Sequence, residues 1–378
     1  MQLWPFTPEG GIKETLEWKT EVIRSRSAEQ RIALRPFPRT KMSLDFILND
    51  QEYSLASTLS KVYFLQQFLI PLWKELKVVG PLDPSVDTIS INTTVRRLLK
   101  WILIMDEDGT YVLADILQID SDQVTFKDNI GREFTNAFVV PLGQFHFSGP
   151  LEIQKGSEGY YKSRANFIST TEYTYQGSVN YPIYNNFYVV TDRPVVKGEI
   201  KETYQREFNI IDNKFGNLYY TDKFDYPILM SFLSWRNINL QELYDVRYFL
   251  TEMKGKQGQF WVPTWNKDFI PSQGISSGDD YIQVEDNNQF QHFNSFHIAI
   301  LLKDETIHFR KVISMEILGA FEQLNLDTTL GVDISLGDID IICKIVTMRS
   351  DSDNISIDYL PSGNTEIRIP VMEVPNEL

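Results

Sequence analysis

Residues 68–73 read FLIPLW, and residues 260–265 read FWVPTW. Each stretch holds an apolar run, a proline, one further residue and a tryptophan, and the two stretches lie 192 positions apart. Apolar residues at helical spacing precede both, over about 50–68 and about 239–253. The same local order therefore occurs twice, which indicates an internal repeat.

Further segments match in the same order along the chain. The matched pairs are 42–48 with 228–234, 87–91 (DTISI) with 280–284 (DYIQV), and 102–105 (ILIM) with 298–301 (IAIL). The separation grows slowly in one direction, as small loop insertions would make it. Five elements in one order predict a repeated unit of strand, strand, helix, Pro-Trp turn, strand, hairpin and strand, over about 13–150 and about 195–360.

Most of the remaining segments have strand chemistry. Residues 29–35 alternate between two faces, and residues 101–117 form two β-rich arms around a turn at 106–109. Residues 123–126 and 137–147 continue the pattern. We therefore predict a mainly β fold of two tandem, internally duplicated β-sandwich or β-barrel-like modules, each with one amphipathic helix.

The repeat divides the chain into three parts. Module one spans 1–150 and contains the helix at about 50–68. Module two spans 195–378 and contains the helix at about 239–253. Residues 151–194 between them are rich in Tyr, Asn, Ser and Thr, and are expected to be a bridging loop or extra strands.

Composition narrows the functional class. The 378 residues carry a net charge of −15, which argues against a nucleic-acid partner because such a partner requires a positive surface. The single cysteine, Cys343, permits no intrachain disulfide. The N-terminus lacks signal-peptide features, and the sequence lacks an apolar run of about 18 residues, so we expect synthesis in the cytoplasm and no membrane insertion.

Candidate catalytic and metal-binding patterns are weak. Residues 274–278 (GISSG) match a serine-nucleophile motif, but polar residues flank them where a buried strand and a helix are required. His292 and His297 lack a third ligand at convincing spacing. Residues 351–354 and 106–109 resemble calcium loops but lack the later ligands and are better explained as turns. We predict no catalytic residue, no metal and no cofactor. A glycan-degrading enzyme stays open as an alternative, which requires a cleft with two carboxylates.

Trp73 and Trp265 occupy the same place in the two copies. We expect both to be structural and to cap the same end of each core. A platform that stacks on sugar rings is the alternative interpretation.

Arginines dominate one face of the strand at 29–35 in an otherwise acidic protein. Arg31, Arg35 and the following Arg39 project from one side, and guanidinium groups suit bidentate contacts with carboxylates. One interpretation is an interface with an acidic neighbouring chain. The other is solvation or pairing within the chain.

The first forty residues resemble a known family. Glu17-Trp18-Lys19-Thr20-Glu21-Val22-Ile23, then 29–35 (EQRIALR), then Pro38-Arg39, are similar to the start of tail-tip or baseplate (distal-tail-like) structural proteins of tailed bacteriophages. The resemblance is specific over about 17–48, and Trp73 fits a later element of it. The second copy lacks the motif: residues 206–210 (REFNI) have no glutamine-arginine strand after them.

The resemblance implies a virion structural protein at the distal end of the tail, assembled in the bacterial host cytoplasm. Its partners would be further copies in a ring, as a trimer or hexamer, and the tail tube, hub and other tail-tip proteins. Trp18, Arg31, Arg35 and Arg39 would then be interface residues. The alternative is a receptor- or carbohydrate-binding component of the same tail tip.

Overall fold

The computed structural model describes residues 1–9, 11–156, 159–175, 177–194, 201–223, 227–236, 238–292 (of His292 the backbone alone), 295–360 and 364–374. The predicted fold class is confirmed at the level of a mainly β protein, with about half of the residues in strands and a tenth in two α-helices. The large sheets are antiparallel. The sandwich or barrel shape of each module stays a prediction. No helix in these ranges is long and apolar enough to cross a membrane.

The first half contains helix α1, Asp50–Tyr63, after strand β5, and a 3-10 helix at Trp73–Glu75. Strands β1 to β14 are Gln2–Leu3, Ile12–Glu17, Thr20–Arg24, Glu29–Ala33, Arg39–Leu48, Phe68–Pro71, Lys77–Leu82, Thr88–Ser90, Trp101–Met105, Tyr111–Ile119, Gln123–Phe126, Phe134–Phe147, Glu152–Lys155 and Tyr161–Ser169.

The second half contains helix α2, Leu240–Met253, after strand β20, and 3-10 helices at Phe290–His292 and Leu336–Asp338. Strands β15 to β28 are Ile183–Tyr184, Phe187–Tyr188, Thr203–Gln205, Phe208–Ile211, Tyr219–Asp222, Ile228–Arg236, Phe260–Pro263, Tyr281–Glu285, Phe296–Leu302, Ile307–Leu318, Phe321–Leu326, Ile339–Ser350, Asn354–Tyr359 and Thr365–Glu373.

Both helices begin at the same kind of cap. Asn49 and Asn239 each accept a hydrogen bond from the backbone of a glutamate three residues later, whose side chain accepts one back from the cap. Helix α2 lies within one residue of its predicted bounds. Helix α1 ends at Tyr63, five residues earlier than predicted, because Phe68 already belongs to a buried strand.

The two halves pair their strands in the same order. β12 pairs with β6, β9 and β14, and β26 pairs with β21, β23 and β28. The chain β9–β10–β11–β8 matches β23–β24–β25–β22. β5 and β13 flank β14, as β20 and β27 flank β28. Because the pairing order is the same, each paired position in one half has a corresponding position in the other half.

The strands that precede each helix also correspond. β2 pairs with β5 and continues into the hairpin β3–β4, while β17 pairs with β20 and continues into the hairpin β18–β19. The registers place Thr20 opposite Ala33 and Phe208 opposite Asp222 at the corresponding positions of the two hairpins.

The predicted bridging segment, 151–194, is divided between the halves. β13 and β14 belong to the sheet of the first half. Val189 forms a parallel bridge with Trp261, as Leu3 does with Leu69, so residues near 189 begin the second half. The boundary between the halves therefore falls between β14 and β15, since strand pairing rather than composition determines it.

Candidate functional site: the junction between the halves

One continuous sheet joins the two halves. β2 pairs with β5 on one edge and with β27 of the second half on the other. The β2–β27 register runs from Ile12 opposite Tyr359 to Glu17 opposite Asn354. In the middle, the hydroxyls of Thr15 and Ser356 lie 3.4 Å apart. The resulting strand order is β13-β14-β5-β2-β27-β28-β20-β17.

A buried ion cluster lies beside this strand pair. Arg97 of the first half contacts Glu14 at 2.5 Å and Glu75 at 2.7 Å. Arg247, on helix α2 of the second half, pairs with Glu14 and lies 3.1 Å from Glu75. Tyr359 donates a hydrogen bond of 2.6 Å to Glu14. Two carboxylates and two guanidinium groups therefore balance in charge across the junction.

The cluster is electrostatically coupled. Burial alone would raise the pKa of the Glu14 carboxyl, but the guanidinium groups of Arg247 and Arg97 outweigh burial and lower this pKa to about 2. Both glutamates and Arg247 are inaccessible to solvent. Removal of one member would leave an uncompensated charge in the interior and would strongly destabilise the junction.

The hairpin β3–β4 reaches across and contacts the second half. Arg31 donates a hydrogen bond of 2.6 Å to the Gln259 side chain. The Glu29 carboxylate lies 2.7 Å from Nε of Arg349, and both side chains are buried. The contact face of this hairpin is therefore polar and charged.

The base of this hairpin is held by the turn between β26 and β27. Thr20 donates hydrogen bonds to the two carboxylate oxygens of Asp353, from its backbone at 2.7 Å and from its hydroxyl at 2.9 Å. Asp353 and the nearby Trp18 also approach Gly255, just after helix α2, so closely that a side chain there would clash with them. The φ of Gly255, +65°, and these two close neighbours both favour glycine at this position.

The sequence-predicted interface residues lie at or near this junction. Trp18 is 2 % exposed and packs in the core of the second half. Arg31 pairs as described, and Arg35 donates a hydrogen bond of 2.8 Å to the carbonyl of Glu17. Arg39 begins β5 and is exposed. These contacts favour the intrachain interpretation for Arg31 and Arg35, and a contact with another chain stays a prediction.

Trp73 and Trp265 each lie two residues after the proline that ends a matching strand, β6 or β21. Each packs, partly buried, on the apolar cluster of its own half. The corresponding cluster members are Leu69, Leu103, Val140 and Leu142 in the first half and Trp261, Ala299, Cys343 and Ile345 in the second. This packing agrees with a structural role and weakens the sugar-platform alternative for these two residues.

The weaker sequence motifs form local structure. Ser277, in the 274–278 loop, donates its backbone N–H to Asp333 at 2.6 Å within a turn. His297 lies 2.9 Å from the hydroxyl of Tyr184, and burial with a contribution from Lys311 lowers the pKa of His297 to about 4. The side chain of His292 lies outside the described residues. Across the described ranges, no group of three or more His, Cys, Asp or Glu could hold a metal ion.

Sequence reasoning missed the buried ion cluster. Its members are dispersed along the chain, at Glu14, Glu75, Arg97, Arg247 and Tyr359. The one available signal was Arg247, a charged residue at a position of α2 that the helical spacing assigns to the buried face.

Comparison with known proteins adds no relatives. No family model matches the chain, and no curated protein matches it.

Proposed function

We propose that the chain is a virion structural protein of a tailed bacteriophage, part of the tail-tip or baseplate ring, and connects the tail tube to the hub or fibres. One observation carries the proposal: the segment that resembles tail-tip proteins also builds the junction. Trp18, Glu29 and Arg31 all contact the second half. The motif therefore serves architecture, which suits a structural component.

The common pairing order of the halves supports a role in a ring. If the halves are two copies of one unit, three chains present six similar surfaces around an axis. A tail tip has to match a sixfold tube to a threefold hub, and a duplicated chain is one route. The symmetry of the particle tests this point, because a ring of six whole chains would leave the repeat without that role.

A receptor- or carbohydrate-binding component of the tail tip is the second candidate. The observation that favours it is the hairpin β18–β19, where Phe215, Tyr219 and Tyr220 are exposed. Exposed aromatic rings can stack on sugar faces. A glycan array with the purified full chain separates the candidates, since selective binding that is lost in Tyr219→Ala would favour this one.

The proposal includes no enzymatic activity, no cofactor, no nucleic-acid partner and no membrane insertion. The protein would assemble in the host cytoplasm and remain in the virion tail.

Locating the chain in purified particles tests the proposal directly. A short tag after Asp108, in the exposed turn between β9 and β10, would be imaged with a gold-labelled binder by electron microscopy. We expect label at the distal end of the tail, and the mass of the tail tip would give three or six copies. Purified virions that lack the chain would overturn the proposal.

A further inference from the structure

We propose that copies of this chain join head to tail, through an interface that repeats between copies the junction already made within each copy. Strand β17 of one copy pairs with β13 of the next, and the hairpin β18–β19 docks on the first half of that next copy. This inference deepens the proposed function, since a ring requires contact between copies, but it is argued from the corresponding positions of the two halves.

The first step concerns the sheet edges. In the described part of the chain, β13 pairs with β14 alone and β17 with β20 alone, so each has an edge without a partner strand. β13 corresponds to β27, and β17 corresponds to β2, which are the two strands that pair at the junction. The two edge strands of the sheet, β13 and β17, can therefore pair with each other between copies as β27 and β2 pair within one copy.

The registers fix which residues meet. Thr203 corresponds to Thr15 and Glu152 corresponds to Ser356, because each holds the same place in the matched pairings. Thr15 and Ser356 are directly opposite each other in the junction. In the proposed interface Thr203 of one copy therefore lies opposite Glu152 of the next.

The hairpin β18–β19 offers an apolar face where its counterpart offers a polar one. The face of β3–β4 that contacts the second half includes Thr20, Glu29 and Arg31. The corresponding face of β18–β19 carries the exposed large hydrophobic residues Phe208, Ile210, Leu218 and Tyr220, together with Asp222, which pairs with Arg206. A cluster of this kind on an exposed hairpin is typical of a surface that is covered in the assembled state.

Part of the receiving surface on the first half is also apolar. Gly255, which Trp18 and Asp353 cover within the chain, corresponds to Leu65, whose exposed fraction is 87 %. Phe64 beside it is exposed and stacks on Phe147.

The nearby turn leaves room for a large side chain. The turn between β26 and β27, which supplies Asp353, corresponds to the turn between β12 and β13, which contains Gly149 and Pro150. The space beside the α-carbon of Gly149, where a side chain would begin, is open. At the junction Thr20 meets a carboxylate, whereas in the proposed interface the larger Phe208 meets a glycine and the apolar ring of a proline. At the junction the larger side chain, Asp353, lies on the turn. In the proposed interface the larger side chain, Phe208, lies on the hairpin, and apolar contacts replace the polar ones.

One pair of charges is complementary as well. Glu202 corresponds to Glu14, and Lys155 corresponds to Tyr359, which donates a hydrogen bond to Glu14. Between copies, Glu202 and Lys155 therefore meet on one face of the paired strands. The contact uses different surfaces on the two copies, so it is heterologous and builds a ring if the rotation closes.

Cysteine pairing across the two edges tests the register. Chains that carry Glu152→Cys are mixed with chains that carry Thr203→Cys and are oxidised gently, with native Cys343 buried. Each chain then carries one engineered cysteine, so a disulfide between the two positions can form only between copies. We expect a covalent dimer from this mixture. We expect no dimer from either variant alone, or from a mixture of Gln154→Cys with Thr203→Cys, in which the two cysteines are out of register. No dimer, or equal yields in and out of register, would overturn the inference.

Two sets of variants test the side chains. Phe208→Asp with Tyr220→Asp should weaken self-association of the full chain at least about tenfold in sedimentation velocity. Its matched control, Ile211→Asp with Tyr219→Asp on the opposite hairpin face, should leave association unchanged. Lys155→Glu and Glu202→Lys should each weaken association, and the double variant should restore it. Equal effects on both hairpin faces, or no rescue, would count against the interface.

Failures of the two proposals are distinguishable. One outcome is that virions contain the chain and that its self-association is unchanged by all these substitutions. This outcome would overturn the interface and leave the proposed function standing. The opposite outcome is a register-specific disulfide together with virions that lack the chain. It would support the interface and overturn the proposed function. The double variant Glu152→Cys with Thr203→Cys should close into covalent rings, whose mass gives the number of copies.

Discussion

Arg247 joins the two halves through buried ion pairs. It lies on the helix of one half and pairs with two glutamates of the other, with no solvent to replace a lost partner. A buried charge left without its counterion is strongly unfavourable, whereas a solvated pair contributes little. Loss of Arg247 and loss of a solvated arginine should therefore differ sharply in their effect on stability.

Arg247→Met should lower the free energy of unfolding by about 3–5 kcal/mol, because Glu14 and Glu75 would retain charge in the interior. Chemical denaturation followed by tryptophan fluorescence measures the change. Arg164→Met is the matched control, since Arg164 pairs with Asp45 at the surface and should cost less than about 1 kcal/mol. A similar, small loss in both variants would contradict the prediction.

The Glu14 carboxylate should make the free energy of unfolding depend on pH in the acidic range. Its pKa is lowered from 4.5 to about 2 in the folded chain, so its contribution is present above pH 4.5 and is lost as pH falls towards 2. We expect the unfolding midpoint of the wild type to fall steeply over this window. Glu14→Gln should be less stable at neutral pH and show a flatter slope. An unchanged slope in this variant would contradict the role of Glu14.

At the scale of elements, the hairpin β3–β4 is a clamp that holds one half to the other. Arg31→Glu places a carboxylate beside Glu29 and removes the hydrogen bond to Gln259. We expect faster amide exchange over 20–33 in hydrogen-exchange mass spectrometry, with exchange in helix α1 unchanged. Arg39→Glu, on the exposed start of β5, is the control. Protection of 20–33 equal to that of the wild type would argue against the clamp.

The sequence predicted elements better than contacts between elements. Helix α2, the hairpin around Gly109 and the strand at 123–126 follow local rules of capping, turn residues and alternation, so the pattern located them. The sequence left 151–194 open between a bridging loop and extra strands because a strand is defined by its partner, and the partner of β14 is β5, more than a hundred residues away. The ion cluster was missed for the same reason.

At the scale of the whole molecule, two candidate interfaces differ in their response to salt. The arginine strand, as an interface, would rely on ion pairs, which salt weakens. The apolar hairpin face relies on buried hydrophobic area, while copies of net charge −15 repel one another. Screening of that repulsion should tighten self-association by several-fold between about 50 mM and about 500 mM NaCl, measured by sedimentation velocity. Association that weakens over this range would instead favour an interface built on Arg31 and Arg35, and would place the contact between copies on the first hairpin.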